Sequence, residues 1–269
     1  MRAIDLPAGL GRVNPLNVAE TCDWVLDAKP TTGSPHMLGN LNLHALYLTL
    51  EDGPVRTLTR SSDVVLIDGW PILQLARMST TSDARPTTRE RIGSSDWLIE
   101  LIARDPAIRV VAVGGTPETA EKMKSYVTGR SSSLRWRAFD GYEFLERGAE
   151  RGDEQDLIAA LGAADLILVG LGMPRQEAWI LDHLDRMNDR TVVANVGGCF
   201  DYFAGTQKLA PRWMGHLGLE WLFRLAHSPR RLAGRYLLEP VLLVRRLMQH
   251  RPPGSGAPAP ADWKRATDA

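Results

Sequence analysis

Four short runs of β-branched and aliphatic residues punctuate the chain: Asp63-Val-Val-Leu-Ile67, Arg109-Val-Val-Ala-Val113, Asp165-Leu-Ile-Leu-Val169 and Thr191-Val-Val-Ala-Asn-Val196. Each is continuously apolar rather than alternating and is closed by Gly or Asp-Gly, the pattern of strands buried on both faces. Apolar positions recur at helical spacing over Pro71–Met78, Pro117–Val127 and Arg175–Met187. Ser94, Ser95 and Asp96 offer N-caps for a helix over Trp97–Ala103, and a further helical pattern lies near Val18–Ala28. Buried strands with intervening helices predict an α/β fold, a doubly wound and mostly parallel sheet covered on both sides. From Pro211 the pattern changes to Trp, Leu, Phe and Arg at helical spacing, interrupted by Pro229 and Pro240. That predicts an appended unit of two or three helices. The last stretch, RPPGSGAPAPADWKRATDA, is rich in Pro, Gly and Ala and predicts a disordered tail. The expected organisation is an N-terminal extension (1–36), a catalytic core (37–209), a helical appendage (210–251) and the tail (252–269).

Composition adds constraints. The chain has 269 residues, 44% apolar and 24% charged, a globular balance that excludes wholesale disorder. Lys plus Arg and Asp plus Glu both number 32, so no whole-chain charge draws it to nucleic acid or another polyanion. The balance conceals an asymmetry. Between Lys208 and Arg251 nine basic residues stand against Glu220 and Glu239, a net +7 that the rest of the chain offsets with −7. The C-terminal part is therefore expected to meet something anionic. Cys22 and Cys199 are too few for a disulfide scaffold or a four-cysteine zinc site. No apolar run approaches the ~18 residues of a membrane span, and MRAIDLPAGLGRVNP lacks the apolar core of a signal peptide. A cytoplasmic protein is expected.

Ligands of open parallel sheets bind beyond the carboxyl ends of the strands. Four such ends carry chemistry here: Asp68-Gly69, Gly114-Gly115-Thr116-Pro117, Gly170-Leu-Gly172-Met-Pro-Arg-Gln176 and Gly197-Gly198. Glycine lets the backbone approach a phosphate, and the following helix N-terminus presents free N–H groups. For any single Gly pair a tight turn is the commoner explanation; with four on one sheet edge, a nucleotide or diphosphate ligand becomes an equal reading. The P-loop pattern is missing, and Gly170-Leu-Gly172 continues into Met-Pro, so the dinucleotide fingerprint fails. There is no Asp-x-Asp, and none of the six histidines stands in H-E-x-x-H, so neither a metal site nor a cofactor is expected. Asp68, ending an apolar strand, is the candidate general base, with a helix N-cap before Pro71 as the competing reading. Arg224, Arg231 and Arg235 are spaced to share one helix face, though Pro229 interrupts it. Guanidinium forks suit diphosphates; a solvated basic face is the alternative. The interleaved Trp213, Trp221, Leu222, Phe223, Tyr236 and Leu242–Val244 favour a helix facing anionic lipid.

Asp68-Gly69, Gly170-Leu-Gly-Met-Pro-Arg-Gln-Glu-Ala-Trp-Ile180, Gly197-Gly-Cys-Phe-Asp-Tyr-Phe-Ala-Gly205, Ala210-Pro-Arg-Trp-Met214 and Gly218-Leu-Glu-Trp-Leu-Phe-Arg-Leu225 together resemble the WecG/TagA/CpsF glycosyltransferases, glycosyltransferase family 26. The resemblance runs from about Leu38 to about Met248. It implies a Rossmann-like core with a C-terminal appendage that completes the active site at the membrane. It further implies inverting, metal-independent transfer of a sugar from a UDP-sugar to a polyprenyl-diphosphate-linked saccharide. By this resemblance Asp68 is the base, although the Pro of the family's P-D-G is replaced by Ile67. Gln176 is the Gln of G-L-G-x-P-x-Q-E. Arg91 is the Arg before the family's G-x-D-L, although Gly93-Ser-Ser-Asp96 carries one residue more. Asn40 replaces the Thr of the usual T-x-N, with Asn42 as its Asn. The implied partners are the UDP-sugar, the lipid-linked acceptor and the anionic inner face of the plasma membrane, with homo-oligomerisation left open. From the residues alone, an oxidoreductase or epimerase on the same fold and a non-catalytic membrane- or nucleic-acid-binding module remain alternatives.

Overall fold

The computed structural model describes residues 1–28, 33–141, 151–205, 214, 220–227, 230 and 233–249. Its centre is a six-stranded, wholly parallel sheet made of β3 (His36–Leu41), β4 (Val64–Ile67), β5 (Arg109–Gly114), β6 (Arg135–Phe139), β7 (Leu166–Gly170) and β8 (Val192–Asn195). The strand order is β4-β3-β8-β7-β5-β6. Residues alternate strictly between two cores, as the period of two in a strand requires. Val64, Leu66, Val110, Ala112, Leu166, Leu168, Val192 and Ala194 pack on one side, with α1 (Val18–Leu26), α5 (Ser94–Ala103), α6 (Pro117–Thr128) and α9 (Cys199–Phe203). Val65, Ile67, Val111, Val113, Ile167, Val169 and Val193 pack on the other. That side is covered by α2 (Leu43–Leu48), α3 (Pro54–Ser61), α4 (Trp70–Met78), α7 (Arg151–Ala163) and α8 (Arg175–His183). This is the expected Rossmann-like α/β architecture.

The hydrophobic pattern does not announce every element. The run of β3 contains Gly39 and Asn40, poor strand formers, yet β3 lies inside the sheet between β4 and β8. β6 is the edge strand opposite β4, and its Arg-Trp-Arg alternation reflects one buried and one wet face. The expected helix to Met187 stops at His183 and tightens into a 3₁₀ turn over Leu184–Arg186. The expected serine caps of α5 are not used. Gly93 is the N-cap, and Asp96 at the third helical position reaches back to accept from Gly93 N at 2.7 Å.

The first residues are tied into the same cores. β1 (Ile4–Asp5) and β2 (Arg12–Val13) form a small antiparallel hairpin. Beyond it Asn14 pairs with the outer edge of β4: its N donates to Val65 O (2.7 Å) and its Oδ1 accepts from Val65 N (2.9 Å). An otherwise open sheet edge is thereby closed. At the other end lie α10 (Glu220–His227), a π-helical turn over Gly234–Leu238, and α11 (Glu239–Gln249). Pro240 does not break this unit as expected. It occupies the second position of α11 directly after the π turn, where its missing N–H and bulky ring meet a widened, already irregular ladder. The expected break at Pro229 and the expected tail lie outside the described residues. α11 docks on α2: Leu243 is buried among Leu46 and its neighbours, and His44 Nδ1 meets Glu239 Oε2 at 2.7 Å. Arg246 reaches Glu51 at 2.6 Å and lies 4.3 Å above the Tyr47 ring. The opposite faces leave Trp221, Leu222, Leu237, Leu238, Val241, Leu242 and Val244 exposed. Among the described residues no helix is long and apolar enough to cross a membrane.

Candidate active site

Because all six strands run the same way, their carboxyl ends share one edge, and every core residue singled out in the sequence falls there. The ends of β3 and β4 supply one group. Asn42 caps α2, its Oδ1 accepting from Ala45 N (3.0 Å), while its Nδ2 donates to Asp68 Oδ2 (3.2 Å). The cap fixes the amide, and the amide orients the carboxylate. Asp68 directly follows β4, with its own N donating to Leu41 O (3.0 Å). It does not cap α4; that position belongs to Gly69, at φ 95°, without a side-chain cap. Arg91 forms a parallel bridge with Ile67, which brings it alongside the end of β4 next to Asp68. Its guanidinium lies 5.8 Å above the Trp70 ring.

The ends of β7 and β8 supply the second group, and it is buried. Gln176 and Glu177, in the first turn of α8, are each 1% exposed; Asn195 and Asn40 are each 6% exposed. Their polar atoms form a continuous chain. Gly197 N donates to Gln176 Oε1 (3.1 Å), and Gln176 Nε2 donates to Glu177 Oε1 (2.7 Å). Asn195 Nδ2 donates to that same Oε1 (2.8 Å), and Asn195 Oδ1 accepts from Asn40 N (3.1 Å). Asn40 Nδ2 then donates to Asn195 O (2.7 Å) and to Ser94 Oγ (3.0 Å). Asn40 therefore joins the β7/β8 group to the start of α5, beside Arg91 and Gly93. Burial pushes the Glu177 carboxyl up from its ordinary value, against the weaker opposing effect of the amides that donate to it.

The glycines divide by surroundings. A Cβ on Gly114 would come within 2.5 Å of Gly170 O, and one on Gly170 within 2.8 Å of Gly197 O and 2.7 Å of Phe200 Cε2. These two let the ends of β5, β7 and β8 pack together. Gly115 at φ 76° closes against Thr119. Gly172 (φ 76°) and Gly197 (φ 55°) have open space on the side where a Cβ would project, and Gly198, the N-cap of α9, is exposed. These three leave backbone accessible.

Arg231 lies outside the described residues, as do the side chains of Arg224 and Arg235. Among the described residues no group of three His, Cys, Asp or Glu is arranged to hold a metal. Sequence reasoning missed Ser94, Glu177 and Asn195 as members of the site. Asn195 had a signal, being an amide inside an otherwise apolar strand run. Glu177 stands in an amphipathic helix start where a carboxylate is ordinarily a solvated N-terminal residue, and nothing local marks it as buried.

A two-faced parallel sheet with amides, a carboxylate, an arginine and open glycines at its carboxyl edge is a Rossmann-like architecture, and that edge is where open parallel sheets bind ligands. The chain belongs to the glycosyl transferase WecG/TagA/CpsF family, whose pattern it matches over residues 8–255, and it is a glycosyltransferase. It is similar to the N-acetylglucosaminyldiphosphoundecaprenol N-acetyl-beta-D-mannosaminyltransferase of Bacillus subtilis (strain 168). The two are 25% identical over 201 residues, covering 72% of this chain and 73% of the relative.

Proposed function

We propose that this enzyme transfers N-acetylmannosamine from its UDP conjugate to a polyprenyl-diphosphate-linked saccharide, with inversion and without a metal, in the synthesis of a cell-envelope polysaccharide. The similarity to the Bacillus mannosaminyltransferase supports the sugar and the acceptor class. The observation that carries the chemistry is Asp68, placed at the end of β4 and held there by the Asn42 amide. In the proposed step Asp68 takes the proton from the acceptor hydroxyl as its oxygen attacks the anomeric carbon, opposite the bond to UDP. That bond breaks, and the electron pair leaves with UDP. Charge on the diphosphate is then met by the open backbone of Gly172 and Gly198 and by Arg91, and from the appendage by Arg224, Arg231 and Arg235.

The appendage has a second proposed duty, docking on the anionic inner face of the plasma membrane, where a polyprenyl acceptor resides. Its net charge of +7 and the exposed Trp221, Leu222, Val241 and Val244 support this. The deciding experiment assays the purified protein against UDP-N-acetylmannosamine, its uronic acid and UDP-glucose, with a short-chain polyprenyl-diphosphate saccharide as acceptor. Transfer from UDP-N-acetylmannosamine with inverted anomeric configuration is expected; turnover restricted to another donor, or retention, would overturn the corresponding part.

A further inference from the structure

Glu177 has no part in the reaction as written above, yet it sits where the strand ends meet. Its Oε1 accepts from Gln176 Nε2 and from Asn195 Nδ2. Through Gln176 it reaches Gly197 N, and through Asn195 it reaches the backbone of Asn40. One carboxyl thus joins the ends of β3 and β8 and the segment after β7. Charged groups on the elements around it are few. β7 and β8 carry none. On α3, Arg56 pairs with Asp52, and the Arg60 pKa is lowered chiefly by its own burial and less by Arg56, with Asp52 opposing. In the turn after α8, Asp185 pairs with Arg186 at 3.3 Å. Arg175, Asp182 and His183 share its own helix. None of these sets the state of Glu177; burial does, opposed by the two amides and its own backbone N–H. Its Oε2 is buried and has no hydrogen-bond partner among the described residues. An ionised carboxylate in that setting would be an uncompensated buried charge, whereas the neutral acid keeps both hydrogen bonds to Oε1 without it. A neutral acid also places no negative charge behind backbone that faces a diphosphate.

We propose that Glu177 is a positioning residue that works as an uncharged acid: it fixes the Gln176 side chain, and through it the Gly197 loop, in the orientation the donor diphosphate meets. This rests on the functional reading above for the identity of the donor. The test compares full-length wild type, Glu177→Gln and Glu177→Ala, following kcat/KM for the UDP-sugar and the Gly197 amide resonance against pH. Gln keeps an acceptor oxygen and no charge, so it should retain near-neutral kcat/KM within about threefold, whereas Ala should lose at least about tenfold. As pH rises through the raised Glu177 value, wild-type kcat/KM should fall and the Gly197 resonance should shift with it; Glu177→Gln should show neither change. An equal loss in Glu177→Gln and Glu177→Ala would overturn the proposal, as would full activity in Glu177→Ala or the same pH dependence in wild type and Glu177→Gln. Should Glu177→Ala fail to fold, the comparison of wild type with Glu177→Gln decides alone. Wild type that transfers no UDP-sugar refutes the functional reading, while the Gly197 resonance still reports whether Glu177 ionises and moves the loop.

Discussion

Asp68 draws its orientation from a helix cap: Asn42 satisfies a backbone N–H of α2 with one end of its amide and a carboxylate oxygen with the other. Asp68→Asn should leave folding and UDP affinity close to wild type and lower kcat by about 10²- to 10⁴-fold, the usual contribution of a general base. Single-turnover transfer and UDP calorimetry check the two halves; a variant retaining a third of wild-type turnover would remove Asp68 from the mechanism. The Asn40 side chain donates through Nδ2 to Ser94 Oγ and to Asn195 O. Asn40→Thr cannot make both, and should lower unfolding free energy by about 1 kcal/mol in urea titration. Glu177 sets a pH dependence of stability. Its folded-state pKa is raised above the unfolded value, so its contribution is fully present below the ordinary carboxylate range and is lost as pH rises through the raised value. Wild-type melting temperature should therefore decline with rising pH more steeply than that of Glu177→Gln.

Among the elements, α2 links the candidate site to the appendage. It begins at Asn42, whose side chain holds Asp68, and its surface receives α11 through Leu243, the His44–Glu239 pair and Arg246. Leu243 is the anchor of that contact, because it is 5% exposed while its neighbours Leu242 and Val244 face outward. The Arg246–Glu51 pair has its carboxylate side exposed and contributes little. Leu243→Ala should weaken docking by about 2 kcal/mol or more, the lower end for a buried Leu→Ala change. Amide exchange in α11 should then accelerate by at least about thirtyfold, while β3, β7 and β8 keep wild-type protection. Equal acceleration in the sheet would mean that α11 is part of one cooperative unit with the core.

For the whole molecule, charge and apolar surface are segregated: a chain of zero net charge carries +7 between Lys208 and Arg251. Vesicle binding should require anionic lipid and fall as salt rises, with each basic residue near the surface contributing roughly 1 kcal/mol at low salt. Truncation near Leu209 should abolish both vesicle binding and transfer, while removing Pro252–Ala269 should change neither. A truncated core that transfers sugar at the full-length rate would reduce the appendage to a bystander. Turnover should also persist in excess EDTA; a loss that Mg²⁺ or Mn²⁺ restores would refute the metal-free mechanism.

The sequence by itself made the fold class legible, since short β-branched apolar runs such as Val64–Ile67 and Leu166–Val169, closed by Asp-Gly or Gly, read as strands buried on both faces. It also placed Asp68, the glycine-bearing strand ends and Gln176 on one edge, because parallel strands point their carboxyl ends the same way. The tertiary structure decided the rest, for reasons of distance along the chain. β3 is held in the sheet by its neighbours in spite of Gly39 and Asn40, so no local pattern could reveal it. Asn40 and Asn195, 155 residues apart, meet only because β3 and β8 are paired. The division of the glycines into closed Gly114 and Gly170 and open Gly172 and Gly197 depends on which strand ends abut. The burial of Glu177 has the same origin: a glutamate in a first helical turn is ordinarily wet, and only the packing of α8 against β7 and β8 takes its carboxyl out of water.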